Sequence, residues 1–329
     1  MLILFQENYM KKTLILLKMN EIMSAFIFEI SDKYYEANEK KASTEKSHKY
    51  LQLIDNVMYK IIQTCSNYVF QISHLAFFFQ NSSFKHWDES KQLMHYIHSI
   101  VNYWIIYSRV NEKNADLINY SDTNFAVCKM TCISTKEYIF MLNDDFISWS
   151  SKHQSMMTLF TTETEYYALS QTVKKTMWLQ KLFTDLEFYT TTTKISIFID
   201  SVKINVDSTE VIKMTENSIE NEQIKHFDIC YHFVCQKILS GCIQLNYILM
   251  NENIADSLTK LLVKPAHQLF INRMRLNLNT TSQAWYMVSY TGSQPYKACS
   301  NRASTAEEEC WKMAALEASA FSEPALLSR

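Results

Sequence analysis

Apolar residues at Ile54, Val57, Met58, Ile61 and Ile62 fall at the i, i+3, i+4, i+7, i+8 spacing of a single helix face. Leu93, Met94, Ile97, Ile100, Val101 and Trp104 repeat that register after Lys85-His86-Trp87-Asp88, so residues 1 to about 110 are expected to be mainly helical. A short helical segment and the charged stretch Ser31 to Lys46, read as a solvated loop, precede them. From Leu117 the pattern shifts towards strands at Leu117 to Ser121, Tyr138 to Leu142 and Phe146 to Ser150, with Asn143-Asp144-Asp145 as a hairpin turn. A long helix is expected from about Glu163 to Leu186, with Tyr166, Leu169, Val173 and Met177 on one face, and then a strand ending at Asp200. A helix to about Val211, a polar loop at Glu216 to Gln223 and a helix from His226 to Leu239 follow, with Gly241 as its stop. The strand Ile243 to Met250 and helices at Asn253 and Pro265 to Arg275 complete an α/β pattern, a mixed sheet flanked by helices. Beyond Asn279 the periodicity stops, and the helix expected around Ala306 to Ala318 sits in a tail that matches nothing upstream.

Composition narrows this little. With 329 residues, 47% of them apolar, the chain is long enough for a real core in one large or two modest domains. A net charge of -2 gives no global sign of nucleic-acid binding, although a local basic patch would suffice. Eight cysteines include no C-x-x-C pair, so scattered reduced thiols are a better reading than a zinc module built on Cys128, Cys132, Cys230 and Cys235. No signal peptide and no run long enough to span a bilayer is seen, so the expected location is cytoplasmic or nuclear, not secreted, with no membrane partner.

Four acids carry the candidate chemistry: Asp122, Glu165, Asp200 and Asp256, each near a strand end or a helix start. Singly, each has an ordinary explanation: an Asx-turn for Asp122, a first-turn acid for Glu165, an N-cap for Asp200 and an exposed helix residue for Asp256. Together they describe acids gathered at the carboxyl ends of strands, where ligands bind in α/β sheets. Such a group repels itself unless a cation neutralises it, and hard oxygen donors select magnesium or manganese. Two such ions about 4 Å apart support in-line phosphoryl displacement.

The words around these acids are specific. Tyr120-Ser121-Asp122, Thr162-Glu163-Thr164-Glu165-Tyr166-Tyr167-Ala168-Leu169, the strand-terminal Asp200 and Ala255-Asp256-Ser257-Leu258-Thr259-Lys260 resemble, in order, four words of copia-type retrotransposon polyproteins. Ile147-Ser148-Trp149-Ser150-Ser151-Lys152-His153-Gln154 and Lys225-His226-Phe227-Asp228-Ile229-Cys230-Tyr231-His232-Phe233 are further family-like words. Leu51 to Tyr107, including Met58-Tyr59 and His86-Trp87, resembles the segment joining the reverse transcriptase to its nuclease. The resemblance covers nearly all of residues 3 to 278. It implies a ribonuclease H-like domain over 116–278, a reverse-transcriptase thumb- or connection-like segment over 1–115 and an unassigned tail over 279–329.

By the same resemblance, Asp122, Glu165, Asp200 and Asp256 would hold two magnesium or manganese ions and cut the RNA strand of RNA:DNA hybrids. The rest of a retroelement reverse transcriptase is the other implied partner. Lys152, Gln154, His226 and Lys260 are candidate contacts to the nucleic acid, and His232 a possible helper in catalysis. The polymerase aspartates have no counterpart, so DNA synthesis by this chain alone is not expected. The sequence departs from the family where Asp55, Asn119 and Glu137 replace glycines, with a cost of about 1 kcal/mol at each if the backbone needs positive φ. A degenerate copy that folds poorly or only binds nucleic acid is the alternative reading.

Overall fold

The computed structural model describes residues 2–19, 44–64, 68–79, 82–101, 103–107, 116–125, 133–154, 158, 160–185, 201–216, 228–258, 264–274, 276–278 and 287–289. The chain divides into two compact units, one made of Met1–Arg109 with Leu261–Arg329 and the other of Val110–Lys260.

The first unit opens with β1 (Leu2–Phe5), followed by α1 (Glu7–Leu16), α2 (Thr44–Thr64), α3 (Val69–Phe77), α4 (Phe84–Ser99) and β2 (Tyr103–Tyr107). The helical spacing is realised: Leu53, Ile54 and Val57 of α2 are buried with Ile72 and Leu75 of α3 and Leu93, Met94 and Ile97 of α4. Ser83 starts α4 through a capping box, its backbone N–H donating to His86 Nδ1 at 3.0 Å. The expected helix over Leu93 to Trp104 ends at Ser99, and Trp104 lies in β2. β-branched and aromatic residues crowd the run Tyr103-Trp104-Ile105-Ile106-Tyr107, which favours extended backbone over further helix.

The second unit contains β3 (Leu117–Asn124), β4 (Thr135–Leu142), β5 (Asp145–His153), α5 (Thr161–Asp185), β6 (Val202–Val206), α6 (Thr209–Glu216), α7 (Asp228–Leu239) and β7 (Ile243–Tyr247). Two short 3-10 turns, Met250–Glu252 and Ile254–Leu258, follow. The sheet order is β5-β4-β3-β6-β7. β5, β4 and β3 pair antiparallel, and β3, β6 and β7 pair parallel. Three antiparallel strands continued by two parallel ones, with the crossover helix α5 between β5 and β6, make the expected ribonuclease H-like mixed sheet.

Asn143 and Asp144 both hold positive φ in the β4–β5 turn, as a two-residue hairpin requires. The expected helix between Asp200 and Val211 is corrected: Val202–Val206 is the strand β6, and the helix begins only at Thr209. Val202, Ile204 and Val206 alternate with Lys203 and Asn205, a period-two pattern of β-branched residues. The strand expected over Ile195 to Asp200 lies outside the described residues. No penalty from lost glycines arises, since Asp55, Asn119 and Glu137 sit in regular helix or strand and none has positive φ.

α5 covers the sheet with an apolar cluster of Tyr166, Leu169 and Val173 against Ile204, Val206, Val211, Tyr231, Val234 and Ile243. A polar seam runs beside it. Asn119 Nδ2 donates to Thr176 Oγ1 at 3.1 Å, and Thr172 Oγ1 contacts Ser121 Oγ at 3.1 Å. Thr176→Ala is expected to destabilise the protein by about 1–3 kcal/mol, because Asn119 would keep a buried amide with no acceptor. Denaturant unfolding of the variant checks this, and an unchanged midpoint would show that the seam is energetically neutral.

After the second unit the chain re-enters the first with α8 (Lys264–Arg273), β8 (Leu276–Leu278) and β9 (Met287–Ser289). These strands complete a sheet ordered β8-β2-β1-β9, in which only the β1–β9 pair is parallel. The sequence pattern groups α8 with the nuclease-like segment, yet it clusters with the first unit, where Tyr96 OH meets His267 Nε2 at 3.1 Å. The tail helix around Ala306 to Ala318 lies outside the described residues. No described helix is long and apolar enough to cross a membrane.

Candidate active site

Asp122 sits near the carboxyl end of β3, the central strand of the second unit, and is buried. Burial pushes its carboxyl well above the ordinary range, and the charges of Asp207, Glu165 and Asp256 push it further, while the Thr123 backbone N–H pulls it back. Glu165 lies in the first turns of α5, half-buried, and is raised to about 7 by burial and the Asp207 charge against a hydrogen bond from the Thr123 side chain. Glu163 is also buried in that turn, but Glu165 is the α5 acid whose charge acts on Asp122.

Asp256 arrives on the second 3-10 turn, which one residue fastens to the sheet. Asn253, buried at 3% exposure, donates from Nδ2 to the Ser121 carbonyl at 3.1 Å, while its Oδ1 accepts from the Ala255 N–H at 3.1 Å. These bonds place Asp256 against the strand that carries Asp122. Asn253 is therefore a positioning residue that the sequence pattern did not reveal.

The strand-end place expected of Asp200 is taken by Asp207, the first residue after β6. Asp200 itself lies outside the described residues. β6 lies beside β3 and runs parallel to it, so the residue following its last rung comes out at the same end of the sheet as Asp122. The alternation from Val202 to Val206, ending on Asp207-Ser208 just ahead of α6, was the available signal.

A fifth carboxyl was not anticipated. Glu137 of β4 is the register partner of Asp122 across the antiparallel pair. It is 1% exposed, and its Oε1 accepts from Ser151 Oγ at 3.2 Å. Its Oε2 is buried without a hydrogen-bond partner. Burial first, then the charge of Asp122, hold this carboxyl well above its usual range. Like charges directly opposite across a strand pair destabilise a sheet. A divalent cation would relieve both defects, and hard carboxylate oxygens are the donors that magnesium or manganese takes. Among the described residues, however, no three His, Cys, Asp or Glu side chains are gathered closely enough to hold one ion.

On the α5 side of the sheet, Lys136 of β4 is the register partner of exposed Lys152 on β5. Burial lowers the Lys136 ammonium, helped by the charges of Lys152 and Lys174, and its Nζ lies 4.9 Å from the Tyr167 ring centre. Gln154 is buried and donates from Nε2 to the Thr164 carbonyl at 3.2 Å, which gives it a structural contact in place of the expected surface one. His226 and Lys260 lie outside the described residues, and His232 is exposed on α7.

No family model matches the chain. It is 25% identical over 220 residues, 67% of its length, to the retrovirus-related Pol polyprotein from transposon TNT 1-94 of Nicotiana tabacum. It is 27% identical over 205 residues, 62% of its length, to that from transposon RE1 of Arabidopsis thaliana. Retrovirus-related Pol polyproteins of transposons are thus similar to 62–67% of the chain. The chain spans 16% and 13% of the length of those two relatives. Over 134 residues, 41% of its length, the chain is 31% identical to the secreted RxLR effector protein 161 of Plasmopara viticola, 93% of which is covered.

Solved ribonucleases H are also similar to part of the chain. RNase H1 of Halobacterium salinarum has a TM-score of 0.30 and 13% identity, over 44% of this chain and 93% of that one. LC11-RNase H1 in complex with an RNA/DNA hybrid has a TM-score of 0.31 and 15% identity, over 46% and 99%. Strand order and direction, rather than these weak superpositions, define the fold of the second unit.

Proposed function

We propose that the second unit is a ribonuclease H that hydrolyses the RNA strand of RNA:DNA hybrids with two divalent metal ions. One observation carries the reading: the charges of Asp207, Glu165 and Asp256, each from a different part of the second unit, act on Asp122 near the carboxyl end of the central strand. Similarity to the retrovirus-related Pol polyproteins supports it.

In this reading the four carboxylates would hold magnesium or manganese, which supplies activation of a water and stabilisation of the leaving oxygen. Asp122 and Asp207 come from adjacent parallel strands and form the fixed floor of the site. Glu165 and Asp256 close it from α5 and from the turn pinned by Asn253. Lys136, Lys152 and Lys174 lie on the α5 side and suit contact with phosphates, while hybrid shape and 2′-hydroxyls rather than base sequence would be recognised. The first unit is read, by resemblance alone, as the end of the reverse transcriptase, whose remaining parts would be its partners.

The lack of convergence among the described acids favours a second reading, in which the segment binds nucleic acid without cutting it. Cleavage of an end-labelled RNA:DNA hybrid separates the two. Cuts in the RNA strand are expected with magnesium and none in chelator. A folded sample that retains the hybrid but leaves the RNA whole at every magnesium concentration would sink the nuclease.

A further inference from the structure

The carboxylate site described above leaves Glu137 unused, although among the described residues of the second unit it is the acid that has a buried oxygen without a hydrogen-bond partner. Residues directly opposite in an antiparallel pair project from the same face of the sheet, so Glu137 and Asp122 share one face. Ser151 fixes one oxygen of Glu137 at 3.2 Å, and the other, buried oxygen has no hydrogen-bond partner. The charges acting on Glu137 are those of the site itself: Asp122, Glu165 and Asp256. A glutamate kept only for packing should have both oxygens bonded, because buried polar atoms nearly always are. Half-bonded and directly opposite Asp122, it has the surroundings of a carboxylate ligand.

We propose that Glu137 is a fifth carboxylate ligand, sharing with Asp122 one of the divalent cations on which the proposed reaction depends. This rests on the carboxylate-site reading of Asp122. Ser151 is then the residue that orients the ligand, in the way that hydrogen bonds commonly hold metal-binding carboxylates. An added anionic oxygen replaces a water of the ion and tightens its binding.

The test is a manganese titration of the full chain at pH 8, with free Mn2+ read by electron paramagnetic resonance. It compares the natural chain with Glu137→Gln, Glu137→Leu and Asp122→Asn. Both Glu137 variants are expected to bind Mn2+ about tenfold more weakly or worse. Gln is isosteric, and Leu fills the buried space without donors, so misfolding of one leaves the other to decide. Natural affinity in both, beside a loss in Asp122→Asn, overturns the ligand role and leaves Glu137 a buried neutral acid. If the natural chain takes up no Mn2+ and Asp122→Asn behaves identically, the carboxylate site itself fails, and the proposal with it.

Discussion

Asp207→Asn is expected to lower hybrid cleavage by on the order of 10³-fold or more, whereas Asp200→Asn should leave it near the natural rate. The substitution keeps size and shape but removes a charge at the end of β6, beside Asp122. If cleavage needs metal ions held there, losing one anionic ligand should harm the rate far more than stability. Stability should instead rise slightly, since Asp207 is the largest single charge acting against Asp122. Rates of RNA cutting at saturating magnesium, read beside thermal unfolding, check both parts. A dead Asp200→Asn with an active Asp207→Asn would return the third carboxylate to its sequence-based place.

The second large effect concerns pH. Glu165 titrates near 7 in the folded chain against an ordinary value of 4.5, so the native state binds a proton that the unfolded state has released. An acid raised in this way favours folding fully below pH 4.5, and that contribution fades as pH rises through about 7. For Glu165 the difference is on the order of 3 kcal/mol, and Asp122 and Glu137, raised by the same causes, act in the same direction. Metal-free protein is therefore expected to melt several degrees higher at pH 5.5 than at pH 8. Magnesium should recover much of that loss at pH 8 and do little at pH 5.5, because it competes with protons for the same oxygens. A flat pH profile in chelator would mean that these acids are further apart or wetter than the structure shows.

Much of the second unit was legible because its elements are locally consistent. β3, β4 and β5 alternate, their turn carries two residues tolerant of positive φ, and the α5 pattern runs on for many turns. Asp122, Glu165 and Asp256 could be read from the words around them. Asp207 could not, because a nearby strand-like run ending at Asp200 competed with the shorter Val202–Val206, and only pairing with β3 and β7 selects between such runs. Glu137 and Asn253 were invisible for a different reason. Their surroundings are made by register and by a turn docking on another strand, which no local pattern encodes. The strands of the first unit escaped notice because β1 and β2 each find partners far along the chain.

That long-range pairing has a consequence for synthesis. β1 is made well before its parallel neighbour β9 at Met287–Ser289, which follows only after the whole of Val110–Lys260 has been made. At ribosomal speeds of about 5–20 residues per second, the half-built first unit waits roughly 10–40 seconds for its last strands. The second unit is contiguous, so all of it is made while β1 still presents an open edge. Slowing translation after Lys260 should therefore lengthen the chaperone-dependent interval of the first unit without delaying the carboxylate site.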